Sequence, residues 1–222
     1  MDIAPSKPTD TARREILDSI RGHLAASAPF DAVRQTPHAP PAAVRPVSPQ
    51  LAPLERFKQA LEAVGGDWIM VTDEADAAVE LQVILQLKGL RRVAVTDAPL
   101  VRRVLKHLKT DAVFVENADK ATLFGCDAGV TGAQYGIAET GTLVLESNQE
   151  RHRLASLVPP VHIALLEVAN IKQTMGEVLA LINKDLSRVV TFITGPSRTS
   201  DIELTLAIGV HGPAELYVIV IE

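Results

Sequence analysis

Apolar residues recur at helical spacing over residues 9–26, where Ile16, Leu17, Ile20 and Leu24 share one face between charged positions. They do so again over residues 53–64, where Leu54, Phe57, Leu61 and Val64 line up, starting at a proline suited to a first helical turn and stopping at Gly65-Gly66. Between these segments lie Pro29, Pro37, Pro40, Pro41, Pro46 and Pro49, which with Pro53 make half of the 14 prolines in the chain. Such a stretch favours a Pro/Ala-rich linker over regular structure. The pattern therefore predicts an N-terminal amphipathic helix and Pro-rich linker over residues 1–52 and a compact domain over residues 53–222.

Within the domain the period switches back and forth. Short apolar runs at residues 68–72, 92–96, 112–115, 141–146, 161–168, 189–194 and 216–221 read as strands. Helical patterns run from Asp73 to near Gly89, over residues 99–108, and over residues 170–182 with Ile171, Met175, Val178, Leu179 and Ile182 inward. Continuously apolar strands separated by helices describe a sheet covered on both faces, so the fold class is α/β with three α/β/α layers. Alternation breaks down over residues 125–141, where five glycines (Gly125, Gly129, Gly132, Gly136, Gly141) and no helical period predict extended segments and tight turns.

Composition narrows the function. The chain has 222 residues, 47% of them hydrophobic but only 4% aromatic, so its core is built from Ala, Val, Ile and Leu. A net charge of -5 and a pI near 5.7 argue against nucleic acid as the main partner, because phosphate neutralisation needs a concentrated basic surface. The doublets Arg91-Arg92 and Arg102-Arg103 read as solvated element ends. The first thirty residues hold no signal-like apolar run and nothing later approaches a membrane span, which points to the cytoplasm. The one cysteine, Cys126, forms no internal disulfide, cannot by itself ligate a four-cysteine iron-sulfur cluster, and reads as a structural thiol. His23, His38 and His107 show no ligand spacing, and no metal site is expected.

Three stretches carry candidate chemistry. Over residues 129–145, glycines permit close backbone approach while Thr131, Gln134, Tyr135, Glu139, Thr140 and Thr142 crowd polar groups before a buried strand, as a small polar ligand requires; the alternative is a Gly-rich hairpin. Neither Gly-x-Gly-x-x-Gly nor a P-loop is present. Directly after the strand at 189–194, Ser197, Arg198, Thr199 and Asp201 make an anion clamp if that strand ends at a sheet's carboxyl edge, or else Thr199 or Ser200 caps a helix or turn. Third, His152 lies between Arg151 and Arg153, and His162, at a strand start, reads as a base, a ligand or a structural histidine; His211 sits in a turn between Gly209 and Gly212.

Taken together, G-V-T-G-A-Q-Y-G-I-A-E-T-G-T-L-V-L-E-S (129–147), R-L-A-S-L-V-P-P-V-H-I (153–163) and F-I-T-G-P-S-R-T-S-D-I-E-L-T-L-A-I-G-V-H-G-P (192–213) resemble the LutC/YkgG group of the LUD (lactate utilization) domain family. The resemblance covers about residues 53–222. It implies a NagB/RpiA/CoA-transferase-like fold and a part in oxidising L-lactate to pyruvate beside LutA-like and LutB-like iron-sulfur proteins. The clusters are then expected in those partners and no cofactor on this chain, which would be a substrate-binding or accessory subunit. The superfamily implies a second role: Ala138-Glu139-Thr140-Gly141 is similar to the surroundings of the CoA-transferase glutamate, with Glu139 as carboxylate nucleophile. A third possibility is a non-catalytic scaffold or regulatory subunit docking through its N-terminal helix.

Overall fold

The structure is a computed structural model that describes residues 10–26, 52–116, 118–148, 153–182, 187–199, 207–208 and 212–222. The chain divides into two units, Met1–Pro49 and Gln50–Glu222. In the first, helix α1 (Asp10–Ala26) forms as its period predicts, with Ile16, Leu17 and Ile20 exposed.

The second unit starts with α2 (Pro53–Ala63), whose Phe57 and Leu61 are fully buried one turn apart. Gly65, at φ +84°, ends it in the left-handed conformation that glycine adopts without strain. Strand β1 (Asp67–Val71) leads to α3 (Glu74–Leu87), started by the Asp73 carboxylate, which accepts from the N–H groups of Ala75 and Asp76 at 2.9 Å. Then follow β2 (Arg92–Val95), α4 (Pro99–Leu105), β3 (Val113–Glu116), α5 (Lys120–Phe124), β4 (Ala128–Gly132), β5 (Tyr135–Ile137) and β6 (Thr142–Glu146). After a 3-10 turn at Arg153–Ser156 come β7 (Val161–Glu167), β8 (Ile171–Lys172), α6 (Met175–Ile182), β9 (Val190–Ile193), the short pair β10 (Arg198–Thr199) and β11 (Ala207–Ile208), and β12 (Glu215–Ile221).

Six strands form one parallel sheet in the order β1-β12-β7-β4-β2-β3. Its inner strands are mostly apolar because both faces are covered, with Thr131 and His162 as buried polar exceptions. On one face α3 and α4 bury Leu81, Leu85, Val101 and Val104 against Val93, Val130, Ile163 and Ile219. On the other, Phe57 and Leu61 of α2 join Leu143 and Leu145 over Ala164, Leu166, Val218 and Val220. The expected layering is present, and a second sheet, β8-β5-β6-β9, is interposed on that second face with α6 packed behind it.

Three expectations change. The helix expected over 170–182 begins only at Met175: Thr174 Oγ1 accepts from the Glu177 N–H, and the Glu177 carboxylate accepts from the Gln173 N–H just before it, two bonds that fix the start. Ile171 is buried in a strand instead, while Met175 and Leu179 face solvent. The strand at 190–193 belongs to the second sheet, antiparallel to β6, so the loop after it is not at the carboxyl edge of the parallel sheet. Of the arginine doublets, Arg103 is not merely solvated, since it donates to Glu74 at 3.0 Å and to Glu167 at 2.6 Å.

Candidate functional site

Alternation along β7 sends Val161, Ile163 and Leu165 toward α3 and α4, and His162, Ala164 and Leu166 toward the opposite face. His162 stands in register with Gly129 on one neighbouring strand and Leu216 on the other. Gly129 is obligatory by space: a Cβ there would lie 1.7 Å from the Ala155 carbonyl oxygen, because the turn Arg153–Ser156 rests directly on β4. Two residues further along β4, Thr131 Oγ1 lies 2.8 Å from His162 Nε2, and the two residues are 0% and 1% exposed. Nδ1 of the same ring is buried without a hydrogen-bond partner among the described residues. Burial pushes the His162 pKa down to about 3, so the imidazole is neutral near pH 7. An unpaired buried polar atom of this kind costs about 1–3 kcal/mol.

His162 is one of the residues lining a cavity of about 200 Å³. Ser156 and Leu157 line one side, Phe192 to Ser197 the other, and Gly212, Pro213 and Leu216 complete it at the amino ends of β7 and β12. The Ser197 N–H donates to the Pro213 carbonyl at 2.8 Å, fixing the loop across the cavity. Behind Thr194 runs a hydroxyl chain, Thr140 to Thr142 to Thr194, with both Oγ–Oγ distances 2.7 Å. It ties the Gly-rich β5–β6 turn to the cavity wall. Gly141, at φ +64°, closes that turn where a Cβ would meet the backbone N of Leu61 at 2.3 Å.

The candidate residues therefore separate. His162 and Ser197 line the cavity, Thr131 stands behind it bonded to His162, and Thr140 reaches it through Thr142 and Thr194. Arg198 does not: its guanidinium donates to the Val64 carbonyl at the end of α2, where a cation suits the helix dipole. Glu139 Oε1 accepts from the Met175 N–H at 2.7 Å, so this carboxylate caps α6. Gln134 accepts from the Glu146 N–H at 2.6 Å and lines a separate crevice of about 280 Å³ with Arg103, Glu146 and Glu167. The backbone of Thr199 pairs with Ala207, while Asp201, Ser200, His152 and His211 lie outside the described residues. Ser156 was not among the candidates; nothing in its local pattern distinguishes it from any serine of a turn.

Cys126 is 3% exposed, its sulfur 3.4 Å from the Thr122 carbonyl, and desolvation raises its pKa, which keeps it a neutral thiol. Among the described residues no group of three or more His, Cys, Asp or Glu is placed to hold a metal ion, and no helix is long and apolar enough to cross a membrane.

The profile of the LUD domain family matches residues 54–221. Lactate utilization protein C of Geobacillus kaustophilus is 31% identical over 171 residues, covering 74% of this chain and 67% of that protein. The protein of the same name from Halalkalibacterium halodurans is 38% identical over 114 residues, 49% of this chain and 47% of its own length. An uncharacterized protein of Neisseria meningitidis is 45% identical over 98 residues, 43% of this chain and 42% of its own. The chain thus spans about half the length of these last two relatives. The crystal structure of a DUF162 family protein from Deinococcus radiodurans superposes with a TM-score of 0.59 at 25% identity, covering 78% of this chain and 99% of the other.

Proposed function

Because this chain belongs to the LUD domain family, we propose that it is a lactate utilization protein C-like component of L-lactate oxidation to pyruvate, working as a substrate-binding or accessory subunit beside LutA-like and LutB-like iron-sulfur proteins. The observation that carries this reading is convergence. Residues of the second and third strings of the family resemblance, Ser156 and His162 of the one and Thr194 and Ser197 of the other, line one small cavity, and Thr131 of the first stands behind it, bonded to His162.

Converting L-lactate to pyruvate removes two electrons and two protons, and the electrons need an acceptor. The single cysteine of this chain is buried and neutral, which supports assigning electron transfer to the iron-sulfur partners. On the alternative in which Glu139 is an acyl-carrying nucleophile, no observation adds support, since the carboxylate already has a task at the start of α6.

The test is L-lactate-dependent dye reduction by the co-expressed iron-sulfur proteins with this chain present and absent. Activity that requires the chain supports a working subunit. Full turnover without it overturns the proposal and favours scaffolding or regulation.

A further inference from the structure

We infer that the cavity lined by His162 is a binding site for the carboxylate of a small monocarboxylic acid of about three or four carbons, received by the His162 Nδ1–H. This deepens the reading above, on which it rests for the kind of acid, by naming the atom that meets the ligand.

The direction of the Thr131–His162 hydrogen bond decides what the cavity can receive. Were Nε2–H the donor, the Thr131 hydroxyl proton would be left buried without an acceptor among the described residues, and Nδ1 would be a bare acceptor as well. With the Thr131 hydroxyl donating to Nε2, its proton is used, and one group remains unpaired, an Nδ1–H. That arrangement leaves fewer buried groups unsatisfied, and it makes the unpaired ring atom of a residue that lines the cavity a donor in want of an acceptor oxygen.

Size and walls set the rest. About 200 Å³ is below the range of drug-sized or nucleotide sites and leaves room for a few heavy atoms. Ser156, Thr194 and Ser197 line it, the first two with hydroxyls already bonded to the Arg153 carbonyl and to Thr142 at 2.7 Å, while Leu157, Phe192 and Leu216 give an apolar wall for a methyl group. No carboxylate lines it among the described residues, so an anion meets no repulsion from them. Among the described residues, Thr96 Oγ1 is the other buried side-chain atom found without a partner, and it lines neither this cavity nor the crevice around Arg103. The orphaned ring nitrogen and the cavity therefore coincide only at His162.

The experiment is a titration of the full chain, labelled with ¹⁵N in its histidine rings, with sodium pyruvate, sodium L-lactate, sodium propionate and, as the uncharged isostere, propionamide. Saturable movement of one ring signal of the Nδ1–H tautomer with the carboxylates, and much weaker movement with the amide, is the expected result. His162→Phe should weaken binding about tenfold to hundredfold, the loss expected for one hydrogen bond to a charged group. Ser197→Leu, which fills the cavity from the opposite wall and leaves the buried ring in place, should do the same. Gln134→Leu, in the other crevice, should leave binding unchanged. Ring signals unmoved by every acid, or binding that survives both His162→Phe and Ser197→Leu, overturns the inference. Binding in the cavity together with dye reduction that ignores this chain would remove the proposed function and keep the site; dye reduction that needs the chain, with no binding, would do the reverse.

Discussion

The parallel sheet carries a concavity at each end, and the two are built on opposite principles. At the carboxyl ends of β2, β4 and β7, the crevice around Arg103 is closed upon itself: Arg103 bonds Glu74 and Glu167, Glu167 also accepts from Asn170 at 3.2 Å, and Glu146 accepts from Ser187 at 3.0 Å. Glu74 is held below the usual carboxylate range by backbone hydrogen bonding first and by Arg103 second. At the amino ends of β7 and β12, the residues lining the His162 cavity are bonded as well, Ser156 to the Arg153 carbonyl and Thr194 to Thr142, but the His162 ring has one nitrogen bonded to Thr131 and the other unpaired among the described residues. Position alone would choose the first, since open α/β sheets bind ligands beyond the carboxyl ends of their strands. Hydrogen-bond satisfaction chooses the second, because a buried group without a partner keeps its binding capacity for a ligand.

The sharpest way to break this contrast is Gly129→Ala. Its methyl would lie 1.7 Å from the Ala155 carbonyl oxygen, so the turn carrying Ser156 has to move. A loss of about 3 kcal/mol is expected, at the upper end for overpacking, with ligand binding lost as well; urea unfolding measures the first and the titration the second. Next comes Thr131→Val, which leaves Nε2 unpaired in addition to Nδ1 and should cost about 1–3 kcal/mol. Adding His162→Leu to it removes both buried polar partners, and the double variant should recover most of that loss. A double variant less stable than Thr131→Val alone would show that the pair contributes more than it costs.

Much of this arrangement was legible in the chain, and the gaps have physical causes. Strands such as β7 and β12 announce themselves as unbroken apolar runs because both of their faces are covered. Strand β4 does not, although it is fully buried, because Gly129 and Gly132 are there to let other backbone come close. The four residues of β9 read as a strand correctly, but nothing in Val190–Ile193 says which sheet they join; the pairing with β6 decides it. The same holds for the site. His162 and Thr131 were both recognisable as candidates, yet their contact, across 31 residues, is a product of β4–β7 register. Arg198 and Glu139 have the residue types that anion binding and acyl transfer need, and each is instead committed to a helix end.

A gentler probe uses pH. In the folded chain His162 holds its proton only near pH 3, whereas an exposed histidine does so near 6.5. Between those values the unfolded chain binds more protons, so stability rises with pH and is lost as pH falls from about 6.5 toward 3, by at most about 1.4 kcal/mol per pH unit. Urea midpoints at pH 7 and pH 5 should therefore fall more steeply for the wild type than for the Thr131→Val, His162→Leu double variant. Equal slopes would mean that His162 is not buried neutral.

The smallest effect is expected where the polar groups are most numerous. Arg103 is 43% exposed and Glu74 and Glu167 are similarly open, so their attraction is screened by water and offset by the cost of ordering three long side chains. Arg103→Met should leave the thermal midpoint within about two degrees of wild type and leave carboxylate binding untouched. A large fall in stability would make the Arg103 cluster a structural keystone; a fall in binding with the fold intact would move the ligand seat to the carboxyl end of the sheet and reverse the comparison.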